Sequence, residues 1–334
     1  HARRYAQAMI ARFGLTPRSL VAEVASNDGY LLQHFVAAGV PVLGVEPAGH
    51  AAELAEARGV PTRVAFFGRA LGAGLAADRP ADLIAANNVL AHVADLQGIV
   101  DGIRIVLKDE GVAVIEAPYV RDLIDGSQFD TIYHEHLCYF SATSVSRLFA
   151  RHGLVLTDVR RLPTHGGSLR FYVQRSGAPS RAVTQLIAEE RLLGLDRADY
   201  YKDFAVRVRS VRQGLTTLLA SLKSEGRTIV GYAAAAKATI LLNAAGIDGR
   251  FLDYVVDRNV HKHGRYIPGV RLPIHDTAKL LEDPIPDYVV LLAWNLKDEI
   301  IRQQQAYEQC GGRFIVPLPV PHVVEVRQAL AANA

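Results

Sequence analysis

The sequence predicts an α/β fold with two separate, mostly parallel sheets, and three observations support this prediction. From Leu20 onward, short β-rich apolar runs alternate with amphipathic helical stretches, a pattern typical of a parallel sheet covered by helices. Two further β-rich runs, 154–162 and 168–175, flank the turn-like segment 163–167 and predict an antiparallel edge hairpin. A second alternation begins at Thr228 and predicts a smaller α/β domain.

Length and apolar periodicity separate the strands from the helices of the first sheet. The predicted strands before the hairpin are 20–25, 40–47, 61–67, the start of 81–93, and 112–120. The predicted helices are 30–39, 50–59, an apolar helix that ends within 103–111, and 144–153.

Residues 181–225 differ in composition from the sequence on either side. They are rich in Arg, Leu, Glu and Lys, have helical periodicity and contain almost no β-favouring clusters. We therefore predict a first α/β domain at 1–180, a helical connector at 181–225 and a second, smaller α/β domain at 226–334.

Composition excludes several classes of function. The 334 residues carry a net charge of +3, and the arginines are scattered rather than clustered, so neither nucleic acid nor an anionic membrane surface is an expected partner. The sequence contains no bilayer-length apolar run and no basic-then-apolar signal segment. Cys138 and Cys310 are the only cysteines, too few for a disulfide scaffold or a four-cysteine zinc site. These features predict a cytoplasmic protein without a metal.

The loop after the first strand, 25–29 within "EVASNDGYLL", lies where a doubly wound sheet binds a nucleotide-like cofactor. Its single glycine, Gly29, makes it a poor pyrophosphate cradle. The second strand ends in Glu46, 17 residues after Gly29, and a carboxylate at this place can accept hydrogen bonds from both hydroxyls of a ribose. Ribose without pyrophosphate favours S-adenosylmethionine. The structural alternatives are an ordinary Asn-Asp-Gly turn and a solvated strand end.

Polar residues follow the fourth strand at the same predicted edge of the sheet. Asn87 and Asn88 are expected to hold the adenosyl or methionine part of the cofactor through amide and backbone groups. His92 lies just beyond them, and it either faces the pocket or occupies an exposed helix start.

The run "DTIYHEHLCYFS" at 130–141 concentrates two histidines, a glutamate and two tyrosines. Spacing alone leaves open a metal site, a proton-transfer set and a polar loop with packed tyrosines. In an extended stretch His134 and His136 share one face while Tyr133 and Glu135 share the other, so bringing these groups into one pocket requires irregular backbone. The metal site is the weaker alternative because further ligands would have to come from elsewhere.

The second sheet carries its own candidate ligand site. Lys237, in "GYAAAAKATILLN", follows a strand at a predicted helix start, where it either holds a pyrophosphate or belongs to a packed alanine-rich helix. Asp257 ends the next strand as in a dinucleotide-binding half, which keeps NAD open as an alternative. Arg265 is an anion contact or part of a solvated turn, and Trp294 with Asn295 ends a later strand on the same rim.

Eight segments in order along nearly the whole chain resemble the deoxysugar C-methyltransferases of antibiotic biosynthesis. These are "VAEVASNDGYLLQHF" (21–35), "VLGVEPA" (42–48), "NNVLAHV" (87–93), "YHEHLCYFS" (133–141), "HGGSLRFYV" (165–173), "GYAAAAKATILLN" (231–243), "VDRNVHKHGRYIPG" (256–269) and "LLAWNLKDEI" (291–300). The resemblance implies a class I methyltransferase fold followed by a Rossmann-like nucleotide-sugar domain. It also implies methylation, from S-adenosylmethionine, of the carbon next to the ketone of a nucleotide-linked keto-sugar, with thymidine diphosphate as the expected handle.

The resemblance also assigns roles to residues. It implies a base at His136, supported by Tyr133, Glu135 and His92. The implied cofactor-binding residues are Ala25, Asn27, Asp28, Gly29, Tyr30, Leu31, Glu46, Pro47, Asn87 and Asn88. The implied substrate-binding residues are His165, Tyr232, Lys237, Asp257, Arg265, Trp294 and Asn295.

One departure from the family pattern concerns its cysteine-rich zinc module. Family members usually begin with this module, and the sequence at 1–14 resembles the chain that follows it. With two cysteines, this chain is expected to hold no such zinc and to lack the sugar contacts of that module.

Other functions stay open as alternatives. An O- or N-methyltransferase of a sugar or small metabolite needs a base but no enolate stabiliser. A cofactor-binding subunit without turnover and an NAD-dependent oxidoreductase are the remaining alternatives. The expected assembly is a monomer or a homodimer.

Overall fold

Strands and helices alternate to form two sheets in the computed structural model, which describes residues 1–325. The chain divides into two units. Unit 1 contains His1–Arg121 and Glu135–Arg197, and unit 2 contains Asp122–His134 and the chain from Ala198 onward.

Unit 1 contains a seven-stranded sheet. Its strands are β1 Val21–Val24, β2 Val42–Val45, β3 Thr62–Arg63, β4 Ala81–Asn87, β5 Leu107–Pro118, β6 Val155–Leu162 and β7 Ser168–Gln174. The helices are α1 Ala2–Phe13, α2 Gln33–Val36, α3 Gly49–Ala57, α4 Arg69–Asp78, α5 Leu96–Val106, α6 Val120–Asp125, which continues into unit 2, α7 Ala142–Ala150 and α8 Arg181–Leu193.

The strand order of this sheet is β3-β2-β1-β4-β5-β7-β6. All neighbours are parallel except β7, which runs antiparallel to both β5 and β6. The last strand of the predicted hairpin therefore inserts between β5 and β6, and β6 forms the edge. Because Val24 pairs with Val45 and Asn87 with Glu116, the strand ends that precede the predicted cofactor residues lie at one rim.

Burial on both faces explains the apolar content of the central strands. All four residues of β1 are buried, and Leu83, Ile84 and Ala85 of β4 are inaccessible to solvent, as expected for parallel strands covered by helices. The predicted strand at 61–67 is shorter in the structure, because Phe66 is 85% exposed and only Thr62 and Arg63 pair with β2. The predicted helix at 30–39 likewise retains only one α-helical turn, between the left-handed Gly29 and Gly39.

A buried carboxylate fixes the start of α7, the helix that follows the histidine-rich run. Glu190 of α8 accepts hydrogen bonds from the backbone N–H groups of Ala142 (2.7 Å) and Thr143 (2.8 Å). Ser141 and Ser144 add a capping box. A negative charge and a side-chain cap both stabilise a helix N-terminus, so the chain is held at the end of the run.

Unit 2 contains a six-stranded sheet of order β10-β9-β8-β11-β12-β13, parallel except for β13. Its strands are β8 Ile229–Tyr232, β9 Val255–Val256, β10 Ile274–His275, β11 Tyr288–Leu291, β12 Arg313–Val316 and β13 His322–Val323. Its helices are α9 Phe204–Ser224, α10 Ala236–Ala245, α11 Lys297–Gln303 and α12 Gln305–Gln309. The two sheets confirm the predicted α/β fold class. No helix within residues 1–325 is both apolar enough and long enough to span a bilayer.

Helices α4 and α5 approach each other closely through two glycines. A Cβ atom on Gly72 would lie 2.8 Å from the Cα atom of Gly102, and a Cβ atom on Gly102 would lie 2.7 Å from the carbonyl oxygen of Gly68. Both positions meet backbone, which cannot rotate away as a side chain can.

We predict that Gly72→Ala lowers the free energy of unfolding by about 1–3 kcal/mol, the usual cost of overpacking. Gly74→Ala is the matched control on the same helix, since its Cβ atom would meet nothing within 4 Å; this change should be neutral or stabilise by up to ~1 kcal/mol through helix propensity. Urea unfolding followed by circular dichroism measures both values. Equal effects of the two substitutions would contradict the close helix contact.

Candidate active site

A cavity of about 860 Å³ opens at the rim where β1, β2 and β4 end. Its volume is within the range of about 300–1,000 Å³ typical of small-molecule sites. Eight of the residues predicted from the sequence line it: Ala25, Asn27, Tyr30, Glu46, Pro47, Asn87, Asn88 and His92. All of them belong to unit 1.

The carboxylate of Glu46 organises the loop after β1. Its Oε2 atom accepts a hydrogen bond from the Asn27 backbone N–H (3.0 Å), and Oε1 accepts one from the Ala48 backbone N–H (2.9 Å). Ala25 and Asn27 both have left-handed backbone conformations, with φ of 54° and 52°. This conformation is common for asparagine but unfavourable for alanine, so the carboxylate helps to hold a loop that is strained at Ala25.

Three of the predicted cofactor residues do not line this cavity. The Asp28 carboxylate pairs with Arg58 at 2.6 Å. Gly29 packs closely against Val60, since a Cβ atom at Gly29 would lie only 3.1 Å from the Val60 side chain. Leu31 is buried and contributes to a smaller neighbouring cavity of about 230 Å³.

The end of β4 separates the two cavities, since Asn87 and Asn88 line both of them. The Asn87 Oδ1 atom is buried and has no hydrogen-bond partner among the described residues. Asn88 has a φ of 56°, and its Nδ2 atom lies 3.3 Å from Nε2 of His165. His165 and Thr164 line the smaller cavity, so the predicted substrate residue His165 lies beside the predicted cofactor residue Asn88.

The structure adds cavity residues that sequence reasoning missed. Phe66 and Phe67 follow β3, and Asp95 and Ile99 lie at the start of α5. The Asp95 carboxylate caps α5 by accepting a hydrogen bond from the Gly98 backbone N–H at 2.9 Å. The end of the third strand is a usable signal for the phenylalanines, but the strand predicted at 61–67 includes both of them.

Two histidines from separate parts of unit 1 meet beside the cavity. The ring centroids of His92 and His136 are 4.8 Å apart at an interplanar angle of 70°, and Tyr139 lies edge-on to His136 at 6.3 Å. Burial and then the nearby His136 lower the pKa of His92 below its ordinary value, while Glu135 opposes the shift. His92 is therefore mostly neutral at pH 7, as a hydrogen-bond acceptor or base must be.

The run 130–141 is irregular from Ile132 to Tyr139, and irregular backbone is needed for these side chains to converge on one pocket. Tyr133 and His134 belong to unit 2, whereas Glu135 and His136 belong to unit 1. The Leu137 backbone N–H donates to the carbonyl oxygen of Ala91 at 2.7 Å. This bond fastens the His136 segment next to His92.

Buried charge lies beneath the same rim. Glu116 of β5 pairs with Arg170 of β7, with the Arg170 Nε atom 2.7 Å from Oε1 of Glu116. Glu23 of β1 is 2% exposed, and its Oε2 atom has no hydrogen-bond partner among the described residues. Burial, followed by repulsion from Asp28 and Glu46, raises the pKa of Glu23 well above its ordinary value. Glu23 is therefore readily protonated, which limits the negative charge under the cavity.

The second sheet repeats the carboxylate arrangement of the first. Asp257 follows β9, and its Oδ2 atom accepts a hydrogen bond from the Ala234 backbone N–H (2.7 Å) while Oδ1 accepts one from the Asn259 backbone N–H (2.7 Å). Lys262 donates to the carbonyl oxygen of Ala234 at 2.8 Å and lies 3.3 Å from Oδ2 of Asp257. The predicted Asp257 is thus tied to the loop after β8.

Three other predicted residues of this sheet converge around Asp130. Trp294 Nε1 donates to Oδ2 of Asp130 at 2.7 Å, and Lys237 Nζ donates to Oδ1 of Asn295 at 2.9 Å. Elsewhere in unit 2, Tyr232 is buried and its hydroxyl oxygen accepts a hydrogen bond from the Gln304 side-chain amide, whereas Arg265 is exposed on a loop.

The geometry of unit 1 suits a nucleoside with a polar tail. A carboxylate follows the second strand, apolar and aromatic groups line the wall, and an unpartnered amide oxygen and a neutral imidazole lie at the far side. Within residues 1–325, no group of three or more His, Cys, Asp or Glu side chains is arranged to hold a metal ion.

Two family models of methyltransferases match this chain, one in each half of the sequence. A family model described as a methyltransferase domain matches residues 1–159. A second, described as a C-methyltransferase C-terminal domain, matches residues 163–319.

The chain is 36% identical to C-methyltransferase NovU of Streptomyces niveus, over 99% of this chain and 79% of that protein. A solved S-adenosylmethionine-dependent methyltransferase of Clostridium acetobutylicum has a TM-score of 0.41 and 12% identity, over 52% of this chain and 91% of that chain. Magnesium protoporphyrin IX methyltransferase of Synechocystis, solved with bound S-adenosylmethionine, has a TM-score of 0.39 and 12% identity, over 52% of this chain and 79% of that chain. Structural similarities at this level carry no inference about activity.

The identity with the Streptomyces niveus protein extends over both units, and the matched family models agree with it. The chain therefore belongs to the C-methyltransferases, with a class I methyltransferase fold and S-adenosylmethionine as its methyl donor.

Proposed function

We propose that this enzyme methylates the carbon next to the ketone of a nucleotide-diphosphate-linked 4-keto-deoxysugar by way of an enolate. The observation that carries the proposal is the pair of His92 and His136 beside the rim cavity. A carbon nucleophile has to lose a proton before it can accept a methyl group, and histidine is the side chain best suited to that step near neutral pH.

The cavity residues fit the methyl donor. Glu46 presents a carboxylate to the cavity after the second strand, which suits the hydroxyls of a ribose. Phe66 and Phe67 offer apolar surface for the adenine, and the unpartnered Oδ1 atom of Asn87 suits an ammonium or hydroxyl donor. When bound, S-adenosylmethionine supplies an electrophilic methyl group.

The proton-transfer residues have distinct proposed roles. His136 accepts the proton from the carbon α to the ketone, and the C–H electron pair moves into the enolate while negative charge develops on the ketone oxygen. Tyr133 is proposed to donate a hydrogen bond to that oxygen. Glu135 and His92 support the charge on His136, since Glu135 supplies a carboxyl group next to it in the chain and the lowered pKa of His92 favours its neutral form.

Unit 2 is proposed to hold the nucleotide, with thymidine diphosphate as the expected one. The support is the repeated carboxylate arrangement, in which Asp257 braces the loop after β8 as Glu46 braces the loop after β1. Lys262 and Arg265 lie on the loop that follows Asp257 and supply positive charge suited to a diphosphate. In unit 1, His165 is proposed to contact the sugar.

Product analysis tests this function. The protein is incubated with ¹³C-methyl-labelled S-adenosylmethionine and thymidine diphosphate 4-keto-6-deoxyglucose, and the product is analysed by two-dimensional NMR. The proposal predicts a ¹³C-methyl group bonded to a ring carbon adjacent to the ketone. A methyl group found on oxygen or nitrogen would contradict it.

We predict that His136→Asn lowers kcat by about 10²–10⁴-fold, the usual contribution of a general base, while the affinity for S-adenosylhomocysteine measured by calorimetry stays unchanged. His134→Asn is the matched control, since this neighbouring histidine is exposed and has no proposed role. Near-normal turnover of the His136 variant would refute the assignment of the base.

Glu46→Gln should weaken S-adenosylhomocysteine binding about 10- to 100-fold, as expected for losing a hydrogen bond to a charged group worth about 1.5–3 kcal/mol. Glu53→Gln, on the solvent side of α3, is the control and should leave the calorimetric Kd unchanged, because Glu53 is 80% exposed. Equal affinities of both variants for the cofactor product would remove Glu46 from the site.

The titration of His92 tests the histidine pair directly. Because His136 is one cause of its lowered pKa, removing the His136 ring in His136→Asn should raise the pKa of His92 toward 6.5. NMR titration of ¹⁵N-histidine-labelled protein measures the shift, and the exposed His50 serves as an internal control. An unchanged His92 titration would show that the two rings do not interact in solution.

A further inference from the structure

The segment Asp122–His134 belongs to unit 2, although the chain before and after it belongs to unit 1. Phe129 of this segment is 7% exposed and lies in the core of unit 2 with Leu215 of α9 and Leu241 of α10. The chain leading to Tyr133 is therefore part of the second hydrophobic core.

The next residue in the chain, Asp130, makes a buried polar contact. Asp130 is inaccessible to solvent, and its Oδ2 atom accepts the hydrogen bond of Trp294 Nε1 at 2.7 Å. Lys237 Nζ lies 4.5 Å from the centroid of the Trp294 ring. Burial raises the pKa of Asp130, and the positive charge of Lys237 opposes that shift. Burying a carboxylate is costly unless it is paired and hydrogen-bonded. Trp294 and Lys237 offset part of this cost, while the Oδ1 atom of Asp130 has no hydrogen-bond partner among the described residues.

The beginning of the segment has its own anchors in unit 2. Arg207 of α9 donates a hydrogen bond to the carbonyl oxygen of Ile124 at 2.9 Å, and the Tyr200 hydroxyl donates to Oδ1 of Asp125 at 2.5 Å. A 3₁₀ turn at Phe129–Thr131 then ends the anchored part. Tyr133 comes two residues after that turn.

We propose that Asp130 and Trp294 are positioning residues, which fix the turn Phe129–Thr131 on the second sheet and thereby hold Tyr133. The proposal rests on the proposed function, in which Tyr133 stabilises the enolate oxygen. The chain after the turn is irregular and belongs to no helix or strand. Ordering such a residue costs conformational entropy, which a buried hydrogen bond can offset.

The test compares three substitutions in the full chain. Trp294→Phe keeps an aromatic ring but removes the Nε1 donor. Asp130→Ala removes the acceptor, whereas Asp130→Asn keeps an oxygen that can accept from Trp294. Tyr307→Phe is the matched control, because the buried Tyr307 hydroxyl donates to the Pro286 carbonyl oxygen at 2.9 Å elsewhere in unit 2.

The expected result is a fall in kcat of about 10- to 100-fold for Trp294→Phe and Asp130→Ala with the labelled methyl donor and thymidine diphosphate 4-keto-6-deoxyglucose, the effect of a displacement near 1 Å. The calorimetric affinity for S-adenosylhomocysteine should not change, since the rim cavity lies in unit 1. Asp130→Asn should recover most of the lost rate, and Tyr307→Phe should keep kcat within about twofold.

Hydrogen exchange provides a readout that needs no substrate. The backbone amides of 131–134 should exchange at least about tenfold faster in Trp294→Phe than in the wild type, while those of β8 should not change. The positioning role would be overturned if Trp294→Phe had the turnover and the hydrogen exchange of the wild type. It would also be overturned if Tyr307→Phe lost as much turnover as Trp294→Phe. Absence of carbon methylation by the wild-type protein would count against the proposed function, while the exchange measurement would still decide the anchor.

Discussion

The carboxylate of Glu46 is the contact on which the rim of the first sheet depends. It accepts hydrogen bonds from the Asn27 and Ala48 backbone N–H groups and so joins the ends of β1 and β2. The contact helps to hold the left-handed conformations of Ala25 and Asn27. It also fixes the position of the carboxylate that we propose as the acceptor for the ribose.

The second sheet contains the same type of contact, in which the Asp257 carboxylate accepts hydrogen bonds from the Ala234 and Asn259 backbone N–H groups. The strand order on both sides of the first strand is also the same, β3-β2-β1-β4-β5 in one sheet and β10-β9-β8-β11-β12 in the other. A parallel sheet concentrates such loops at the carboxyl ends of its strands. Each unit therefore has a carboxylate that braces the loop after its first strand, and we propose that the two rims hold the two nucleotide-like groups of the reaction.

Sequence patterns were sufficient for the fold because burial on both faces leaves apolar runs that periodicity detects. They also placed Glu46 and Asn87 at the cavity, since strand ends are readable from the sequence. They missed Phe66, because the apolar run 61–67 has the local pattern of a longer strand, whereas only Thr62 and Arg63 form one. They likewise could not pair Asp130 with Trp294, a contact across 164 positions that no local spacing encodes.

We propose that His136, supported by His92, removes a proton from carbon before methylation. Deuterium wash-in measures this step directly: thymidine diphosphate 4-keto-6-deoxyglucose is incubated in D₂O with the protein and S-adenosylhomocysteine, which cannot donate a methyl group. The account predicts incorporation of deuterium next to the ketone by the wild-type protein, and none above the enzyme-free rate by His136→Asn. Wild-type protein that methylates this sugar without any exchange, or exchange that persists in His136→Asn, would contradict it.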